Sequence, residues 1–347
     1  MVKNPGIIIF YLSLTSLFFL NSYAVKRDFQ ISTPDSLLSE ERNKCSFPII
    51  AVGDLQRTSL WETMIGRENN DVERKEIIGN ISGQNPGSVI LLGDMVFEGD
   101  SWEQWRNFDS LMTPVKRKNI PVFPVIGNHE YYGIDRIALQ FLSKRFPVIK
   151  GSHWYTEVCD SIALIFLDSN DGEYSADQWQ SQINWFRNKL LIFNNDPAIK
   201  GILVFAHHPP YTNSLLTGDD MPVQNGFVPA FDQSKKTLAF ITGHAHTYER
   251  FIENGKMFII SGGGGGPRVM LNNGPGIHHD YLTGPSPRPF NYLLISKQSD
   301  GLEFTVKGVN KNSSQFFTLE KFKLSFYNNR KLDIVDEKSE KLPELVK

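Results

Sequence analysis

Short apolar runs recur along the chain, and several end in glycine or another small residue followed by a side chain that can bind a metal. Six runs have this form: SFPIIAVGD, GSVILLGD, NIPVFPVIGNHE, SIALIFLD, GILVFAHH and TLAFITGHAH. Continuous apolar runs of this length are typical of strands that are buried on both faces of a sheet. Each run is therefore predicted to be a strand, and KMFII is predicted to be a further one.

Helical patterns lie between these runs. One covers Ser101–Met112, and another covers Ala176–Phe193, where Trp179, Ile183 and Phe186 recur at helical spacing. Strands that alternate with helices indicate a layered α/β fold. Ligands of such folds bind beyond the carboxyl ends of the strands, which is where the polar residues of the runs fall.

The composition is that of an ordinary globular protein. The chain has 347 residues, of which 40% are hydrophobic and 21% are charged. No internal repeat or linker interrupts it, so we expect one domain at 45–327. A polar segment at 25–44 precedes this domain, and a charge-rich tail at 328–347 follows it.

The formal net charge is −2. This value argues against a general electrostatic attachment to nucleic acid or to an anionic membrane, and hence against a nucleic-acid scaffold role. Any attraction for an anionic substrate must therefore be built locally, at a site.

The first residues have the pattern of a secretory signal peptide. Lys3 supplies a positive start, Ile7–Leu20 is apolar, and Ser22-Tyr23-Ala24 provides small residues for cleavage. We therefore expect a signal peptide at 1–24, a secreted or periplasmic mature protein that starts at Val25, and no stable membrane span after cleavage. An uncleaved anchor is the alternative, although the apolar stretch is short for a full span.

Only two cysteines are present, Cys45 and Cys159. In an oxidising compartment an even pair suggests a disulfide. Two unrelated buried thiols are the alternative, and the sequence leaves both open.

The histidines are concentrated at the ends of three of the apolar runs. Five of the eight lie there: His129, His207, His208, His244 and His246. Alone, each motif has an ordinary structural explanation, since GD can be a turn, GNHE a helix cap and HH a packed pair. Packing alone does not explain their joint arrangement.

The ordered set GD…GD…GNHE…HH…GHAH resembles the calcineurin-like metallophosphoesterases, from Ile49 through GHAHTYER to about Ile295. The stretches AHHPPY, GHAHTYER and SHWYTEVCDSIALIFLDSN are particularly similar to the purple acid phosphatase branch. The resemblance implies an α/β fold, a four-layer αββα sandwich of two mixed sheets flanked by helices. It also implies a pair of metal ions, divalent or trivalent, with Fe, Mn and Zn as candidates.

The resemblance also assigns residue roles. Asp94 matches the bridging ligand, because the two oxygens of a carboxylate can serve one cation each. Asp54 and His246 would hold the first metal. The second metal would have three further ligands: Asn128, His207 and His244. His129 would steady the phosphate or protonate the leaving oxygen, so Asp94 and His129 are the predicted catalytic residues.

Two positions depart from the purple acid phosphatase pattern. Those enzymes carry a tyrosine three residues after the bridging aspartate, and its phenolate binds ferric iron and gives the colour. Phe97 stands at that position here, so we expect no purple colour. Gln56 stands where histidine is common, and it is predicted to be a neutral oxygen ligand of the first metal or a hydrogen-bond donor beside it. An amide oxygen ligand would favour Mn or Fe(II).

Two side chains are candidates for substrate binding. Arg57 follows Gln56 and could bind a phosphate, because a guanidinium matches its geometry; a surface ion pair is the alternative. His208 could line the pocket, or it could pack beside Pro209.

The predicted function is that of an exported binuclear metal-dependent phosphatase. It would hydrolyse phosphomonoesters, either small molecules or phosphoproteins, by attack of a metal-bound hydroxide. The alternative within the enzymes is a phosphodiesterase or nucleotide pyrophosphatase, suggested by Gln56 and Phe97. A non-catalytic metal-binding module that has kept the fold is the alternative from a different class.

Overall fold

The computed structural model describes residues 44–274, 277–282 and 284–326. The predicted signal peptide at 1–24, nearly all of the polar segment at 25–44 and the predicted tail at 328–347 lie outside these residues. None of the helices in the described ranges combines the length and the apolar character that crossing a bilayer requires.

Twelve strands form in the described part of the chain. They are β1 (Ile49–Val52), β2 (Ser88–Leu91), β3 (Val122–Pro124), β4 (Tyr155–Cys159), β5 (Ile162–Phe166), β6 (Gly201–Phe205), β7 (Thr237–Thr242), β8 (Tyr248–Glu253), β9 (Lys256–Ser261), β10 (Phe290–Lys297), β11 (Gly301–Val309) and β12 (Phe316–Ser325). The six predicted runs contain β1, β2, β3, β5, β6 and β7, and KMFII lies within β9, so these predictions are confirmed.

Eight α-helices accompany the strands within the same ranges. They are α1 (Leu60–Met64), α2 (Asp71–Gly83), α3 (Trp102–Leu111), α4 (Thr113–Arg117), α5 (Asp135–Arg145), α6 (Ala176–Asn195), α7 (Met221–Gly226) and α8 (Val228–Gln233). The two predicted helices are α3 and α6. Helix α6 begins at a capping box in which Ser175 accepts from the backbone of Gln178, and it buries Ile183, Phe186 and Leu190.

The strands form two mixed sheets of six. The first has the order β12-β11-β10-β1-β2-β3, in which β1, β2 and β3 are parallel and the other pairs are antiparallel. The second has the order β4-β5-β6-β7-β9-β8, with β5, β6, β7 and β9 parallel between two antiparallel edge strands. The predicted fold class is therefore confirmed.

Alternate side chains of β5, in the second sheet, pack into two different cores. Leu164 and Phe166 of β5 join the core shared with the first sheet, where the Phe166 ring lies 6.1 Å from that of Phe123 on β3. Ala163 and Ile165 join the core formed with α6, α7 and α8. This period of two, with both faces covered, explains why the strand is apolar throughout.

The carboxyl ends of the central strands of both sheets meet at one edge. Gly53, just after β1, donates its N–H to the carbonyl of Ser261 at the end of β9 (2.9 Å) and accepts from Gly264 (3.0 Å). Loops that follow β1, β2, β3, β6 and β7 therefore start close together at this edge.

A disulfide joins the two sheets at the opposite end. Cys45 precedes β1, and Cys159 lies across from Ile162, the first residue of β5. The two cysteines form a disulfide with a Cα–Cα distance of 5.1 Å and a sequence separation of 114 residues. Of the two possibilities that the sequence left open, the structure has the disulfide.

Removing this bridge should destabilise the protein, because a closed loop of this length strongly restricts the unfolded chain. We expect Cys45→Ser/Cys159→Ser to lower the free energy of unfolding by about 2–4 kcal/mol. Urea denaturation with and without dithiothreitol checks this, and the reductant should have no further effect on the double variant. Equal stability of wild type and variant would contradict it.

Candidate metal centre

Four of the predicted ligands have an unusual backbone conformation. Asp54, Asp94, His244 and His246 have φ values of 62°, 53°, 66° and 48°. Non-glycine residues rarely adopt this left-handed region, and such strain concentrates at functional sites. The sharp turns at the strand ends thus direct all four side chains toward the same edge.

Position 127, just before Asn128, requires glycine because Asp94 approaches it closely. A Cβ on Gly127 would lie 2.2 Å from Asp94 Oδ1 and 2.4 Å from its backbone nitrogen. The glycines that precede ligands in the sequence motifs therefore have a steric explanation at this position.

The first metal group consists of Asp54, Gln56, Asp94 and His246. The carboxylates of Asp54 and Asp94 and a ring nitrogen of His246 offer ligand atoms within 4.8 Å of one another. His246 Nδ1 donates to the carbonyl of Pro267 at 2.8 Å, so Nε2 carries the lone pair of the neutral ring and lies 3.5 Å from Asp54 Oδ1. A carbonyl partner that fixes the tautomer in this way is typical of metal-binding histidines.

Gln56 is buried in this group, and its hydrogen-bonding partners assign its amide orientation. The amide nitrogen donates to the carbonyls of Asp54 (3.2 Å) and Asp94 (3.0 Å), and the amide oxygen faces His246 Nε2 at 3.0 Å. The oxygen and the free Nε2 lone pair thus converge on the same space. This geometry fits Gln56 as a neutral oxygen ligand, one of the two roles that the sequence predicts.

The second metal group consists of Asn128, His207 and His244 together with Asp94. His207 Nδ1 donates to the carbonyl of Leu92 at 2.7 Å. Its Nε2 lies 3.1 Å from Asn128 Oδ1 and 3.1 Å from His244 Nδ1. Three ligand atoms from three different loops therefore converge on one point.

Asp94 belongs to both groups. Its Oδ1 lies 3.3 Å from His207 Nε2 in the second metal group. Its Oδ2 lies 3.4 Å from the amide oxygen of Gln56 in the first, in the amide orientation assigned above. Each oxygen of one carboxylate therefore faces a different group, which is the arrangement that a bridging ligand requires.

Buried negative charge dominates the electrostatics of the two groups. Burial, followed by repulsion from Asp94, raises the pKa of Glu130 to about 7. Burial also raises the pKa of Asp54 well above its ordinary value, and Asp94 adds to this. Burial opposes a charge on His207, but Asp94 outweighs it and raises the pKa of His207 to about 10. The site thus favours positive charge at His207 Nε2, and a cation could supply it in place of the proton.

Glu130 holds the loops that carry the ligands, a role that sequence reasoning missed. Its carboxylate accepts from the backbone N–H groups of Asp94, Met95 and Gly127, each at 2.8 Å. It therefore ties the loop after β2 to the loop after β3. The sequence feature that could have indicated this role is the acidic fourth residue of GNHE.

His129 lies against the bridging carboxylate. Its backbone N–H donates to Asp94 Oδ1 at 3.1 Å, and its Nε2 is 3.8 Å from Asp94 Oδ2. Nδ1 donates to the carbonyl of Phe97 at 2.7 Å, and the imidazole contacts the rings of Phe97 and Tyr132 at centroid distances of 4.8 and 4.4 Å. Phe97 thus packs on His129 and offers no ligand atom.

Tyr132 is a second residue that sequence reasoning missed. Its hydroxyl accepts from Asn128 Nδ2 at 3.0 Å, and this contact directs Asn128 Oδ1 toward His207. The adjacent Tyr131 is buried and donates to Asp168 at 2.6 Å. Nothing in the sequence distinguishes these two consecutive tyrosines.

The two predicted substrate-binding residues differ in position. Arg57 is exposed and forms an ion pair with Asp71 at 2.5 Å, outside both metal groups. This is the surface ion pair given above as the alternative to phosphate binding. His208 lies beside the second metal group, with its ring 4.4 Å from that of His244. Ser169 Oγ accepts from two backbone N–H groups and so donates to His208 Nδ1 at 2.8 Å. Burial, and then His207, lowers the pKa of His208 to about 3, which keeps it neutral.

A family model described as calcineurin-like phosphoesterase matches residues 47–248, more than half of the chain. The chain belongs to this family. The match contains both metal groups, so the residues that converge at the edge of the two sheets are those of a metallophosphoesterase.

Known proteins of similar sequence or structure agree with this membership. An uncharacterized metallophosphoesterase of Aquifex aeolicus is 25% identical over 219 residues, which cover 59% of this chain and 76% of the relative. Among solved structures, the purple acid phosphatase PPD1 of yellow lupin seeds has a TM-score of 0.60 at 15% identity, covering 81% of this chain. A dimetal phosphatase from Danio rerio has a TM-score of 0.52 at 16% identity, covering 79% of this chain and 98% of its own.

The chain spans about half the length of the lupin enzyme, 54% of it. At these identities the structural similarities show the shared fold. The chemistry must therefore be argued from the residues of this chain.

Tyr132→Phe should weaken the second metal group selectively. The change removes the acceptor that orients Asn128 and keeps the ring, and loss of such a partner costs about 10–100-fold in metal affinity. A two-site Mn²⁺ titration measures both affinities. Tyr281→Phe, at another partly exposed tyrosine, is the control and should leave both unchanged. Two unaltered affinities in Tyr132→Phe would contradict the positioning role.

Metal binding should remain pH-dependent above neutrality. Because the pKa of His207 in the metal-free protein is about 10, a cation must displace its proton throughout this range. Apparent affinity at the second metal group should therefore rise about tenfold per pH unit from pH 6 to 8.5. An ordinary histidine ligand would give a plateau above about pH 7, and that result would contradict the raised pKa.

Proposed function

We propose that this protein is an exported phosphatase that uses two metal ions to hydrolyse phosphomonoesters. One observation carries the proposal: Asp94 presents one carboxylate oxygen to each of two adjacent groups of metal-capable side chains. The N-terminal pattern of the sequence and the Cys45–Cys159 disulfide support export, because disulfides persist in oxidising compartments.

The donor set supports two divalent cations. Asp54, Gln56 and His246 would hold the first and Asn128, His207 and His244 the second, with Asp94 between them. When bound, such a pair supplies the charge that orients a phosphoryl group and lowers the pKa of a water molecule. Fe, Mn and Zn all accept these ligands, and the oxygen of Gln56 favours Mn or Fe(II).

The remaining residues would handle the proton and the phosphate. His129 donates through Nδ1 to Phe97, so in the doubly protonated imidazolium its Nε2–H, on the side of Asp94, is the proton that would pass to the leaving oxygen, which leaves a neutral imidazole. His208 is neutral and lies beside the second metal group, where its ring could contact the phosphate.

Charge balance supports an anionic substrate. Asp54 and Asp94 are the two ionised ligands, and the other five predicted ligands are neutral. Two divalent cations and one hydroxide would therefore leave a net charge of about +1 at the site, which attracts an anionic phosphoester.

Asp94→Asn should abolish both metal pairing and activity, because the amide offers a single oxygen ligand. We expect turnover of p-nitrophenyl phosphate to fall at least about 100-fold and the metal content to fall from two ions to one or none. Elemental analysis and steady-state kinetics measure these. Asp135→Asn, at an exposed aspartate, is the matched control and should keep both. Full activity in Asp94→Asn would refute the bridging assignment.

A phosphodiesterase remains the second candidate, because Gln56 occupies the first metal group in place of the common histidine. Comparing turnover of p-nitrophenyl phosphate with that of bis(p-nitrophenyl) phosphate separates the two. Preference for the monoester supports the proposal, and preference for the diester supports the second candidate. Two bound metals without hydrolysis of either ester would indicate a non-catalytic metal-binding module.

A further inference from the structure

Large apolar side chains are exposed mainly at the edge that carries the metal groups. In the described part of the chain, 12 of the 16 exposed ones lie in the segments 60–65, 132–134, 215–221 and 270–281. These segments follow β1, β3, β6 and β9, whose neighbouring loops supply or support the predicted ligands. Exposed apolar side chains concentrated beside a site indicate a candidate binding surface.

Helix α1 supplies the first part of this surface. Its start is fixed by a capping box between Ser59 and Glu62, yet it buries none of its residues. Leu60, Trp61 and Met64 are 87%, 68% and 79% exposed. The helix begins four residues after Gln56, so at most about 14 Å of chain separates it from the first metal group.

Two neighbouring loops supply the second part. Leu215, Leu216 and Met270 are 64%, 60% and 48% exposed, and the N–H of Leu215 donates to the carbonyl of Met270 at 2.9 Å. Met270 lies three residues after Pro267, whose carbonyl accepts from His246. At most about 11 Å of chain therefore connects this part to a predicted metal ligand.

One segment holds both parts in place. Arg67, just beyond α1, donates to the carbonyl of Pro267 at 3.0 Å. Arg268 forms a two-pronged ion pair with Glu68, with distances of 3.0 and 2.6 Å. We call Leu60, Trp61, Met64, Leu215, Leu216 and Met270 the apolar rim. It is anchored through Pro267, whose carbonyl also orients His246.

We propose that the apolar rim binds the leaving group of the substrate, and that this substrate is a phosphomonoester of an aromatic or long-chain aliphatic alcohol. This inference rests on the proposed function. The metal groups recognise the charged phosphoryl end, and the esterified group extends outward from the ligand edge. There it meets apolar side chains that at most about 11–14 Å of chain connects to the metal groups, a separation that a small molecule can span.

Phenyl phosphate and 1-naphthyl phosphate provide the test, because their leaving groups are similarly acidic and differ mainly in apolar area. We expect kcat/KM to be at least about tenfold higher for the naphthyl ester, mainly through KM, as expected for added apolar contact. Two rim variants, Leu215→Ser/Leu216→Ser/Met270→Ser and Leu60→Ser/Trp61→Ser/Met64→Ser, should reduce this ratio to below about twofold. The kcat for phenyl phosphate should stay unchanged, because the rim does not contact the phosphoryl group, and its KM should rise less than that of the naphthyl ester.

Leu191→Ser/Ile192→Ser is the matched control. These residues are 61% and 49% exposed on α6, outside the segments that follow the ligands, so the variant should keep the wild-type ratio. A wild-type ratio near one would overturn the inference, and so would a ratio that neither rim variant changes. Vesicle binding that the rim variants lose without a change in the ratio would also overturn it, in favour of a membrane surface.

Failure of the proposed function gives a different result. If no phosphomonoester is turned over, calorimetric binding of naphthylmethylphosphonate and methylphosphonate to the metal-loaded protein still tests the rim. Tighter binding of the naphthyl compound that both rim variants abolish supports the inference. Equal binding of the two phosphonates overturns it.

Discussion

The buried negative charge of Asp54 and Asp94 is the constraint on which the metal centre depends. Both carboxylates are at most 1% exposed, and a buried charge without a counter-charge is unfavourable by several kcal/mol. The groups that face them offer lone pairs from His246 and from the amide oxygen of Gln56, and a further one from His207 once a cation displaces its proton. Lone pairs that converge on buried carboxylates are satisfied by a cation, which explains why the same edge must gather ligands from both sheets.

Hydrogen bonds hold the predicted ligands in their strained backbone conformations. Left-handed conformations of non-glycine residues cost about 1–3 kcal/mol each. The N–H of His244 donates to both oxygens of Asp54, and Glu130 accepts from three backbone groups around Asp94. These bonds fix the turns before any cation binds, so the ligands lose little conformational freedom when one does.

Much of the fold and of the ligand set could be predicted from the sequence, because strands buried on both faces are apolar throughout and end in glycine beside a ligand. The strands β4, β8, β10, β11 and β12 were not predicted, because only continuous apolar runs were assigned to strands. In β12, for example, buried Phe322 and Leu324 alternate with the half-exposed Lys321 and Lys323, the period-two pattern of a strand with one face buried. The roles of Glu130 and Tyr132 depend on how two loops approach each other. Sequence patterns carry local periodicity, and they do not carry such contacts between loops.

The disulfide and the metal centre lie at opposite ends of the two sheets. The Cys45–Cys159 bond joins the two sheets at one end. At the other end, the predicted ligands converge beside the hydrogen-bonded ends of β1 and β9. A cation that binds only the folded chain adds stability in proportion to the logarithm of its concentration, whereas the bridge acts whether or not metal is present. The stabilisation from the disulfide is therefore retained in the metal-free protein, whereas the stabilisation from the cations varies with their supply.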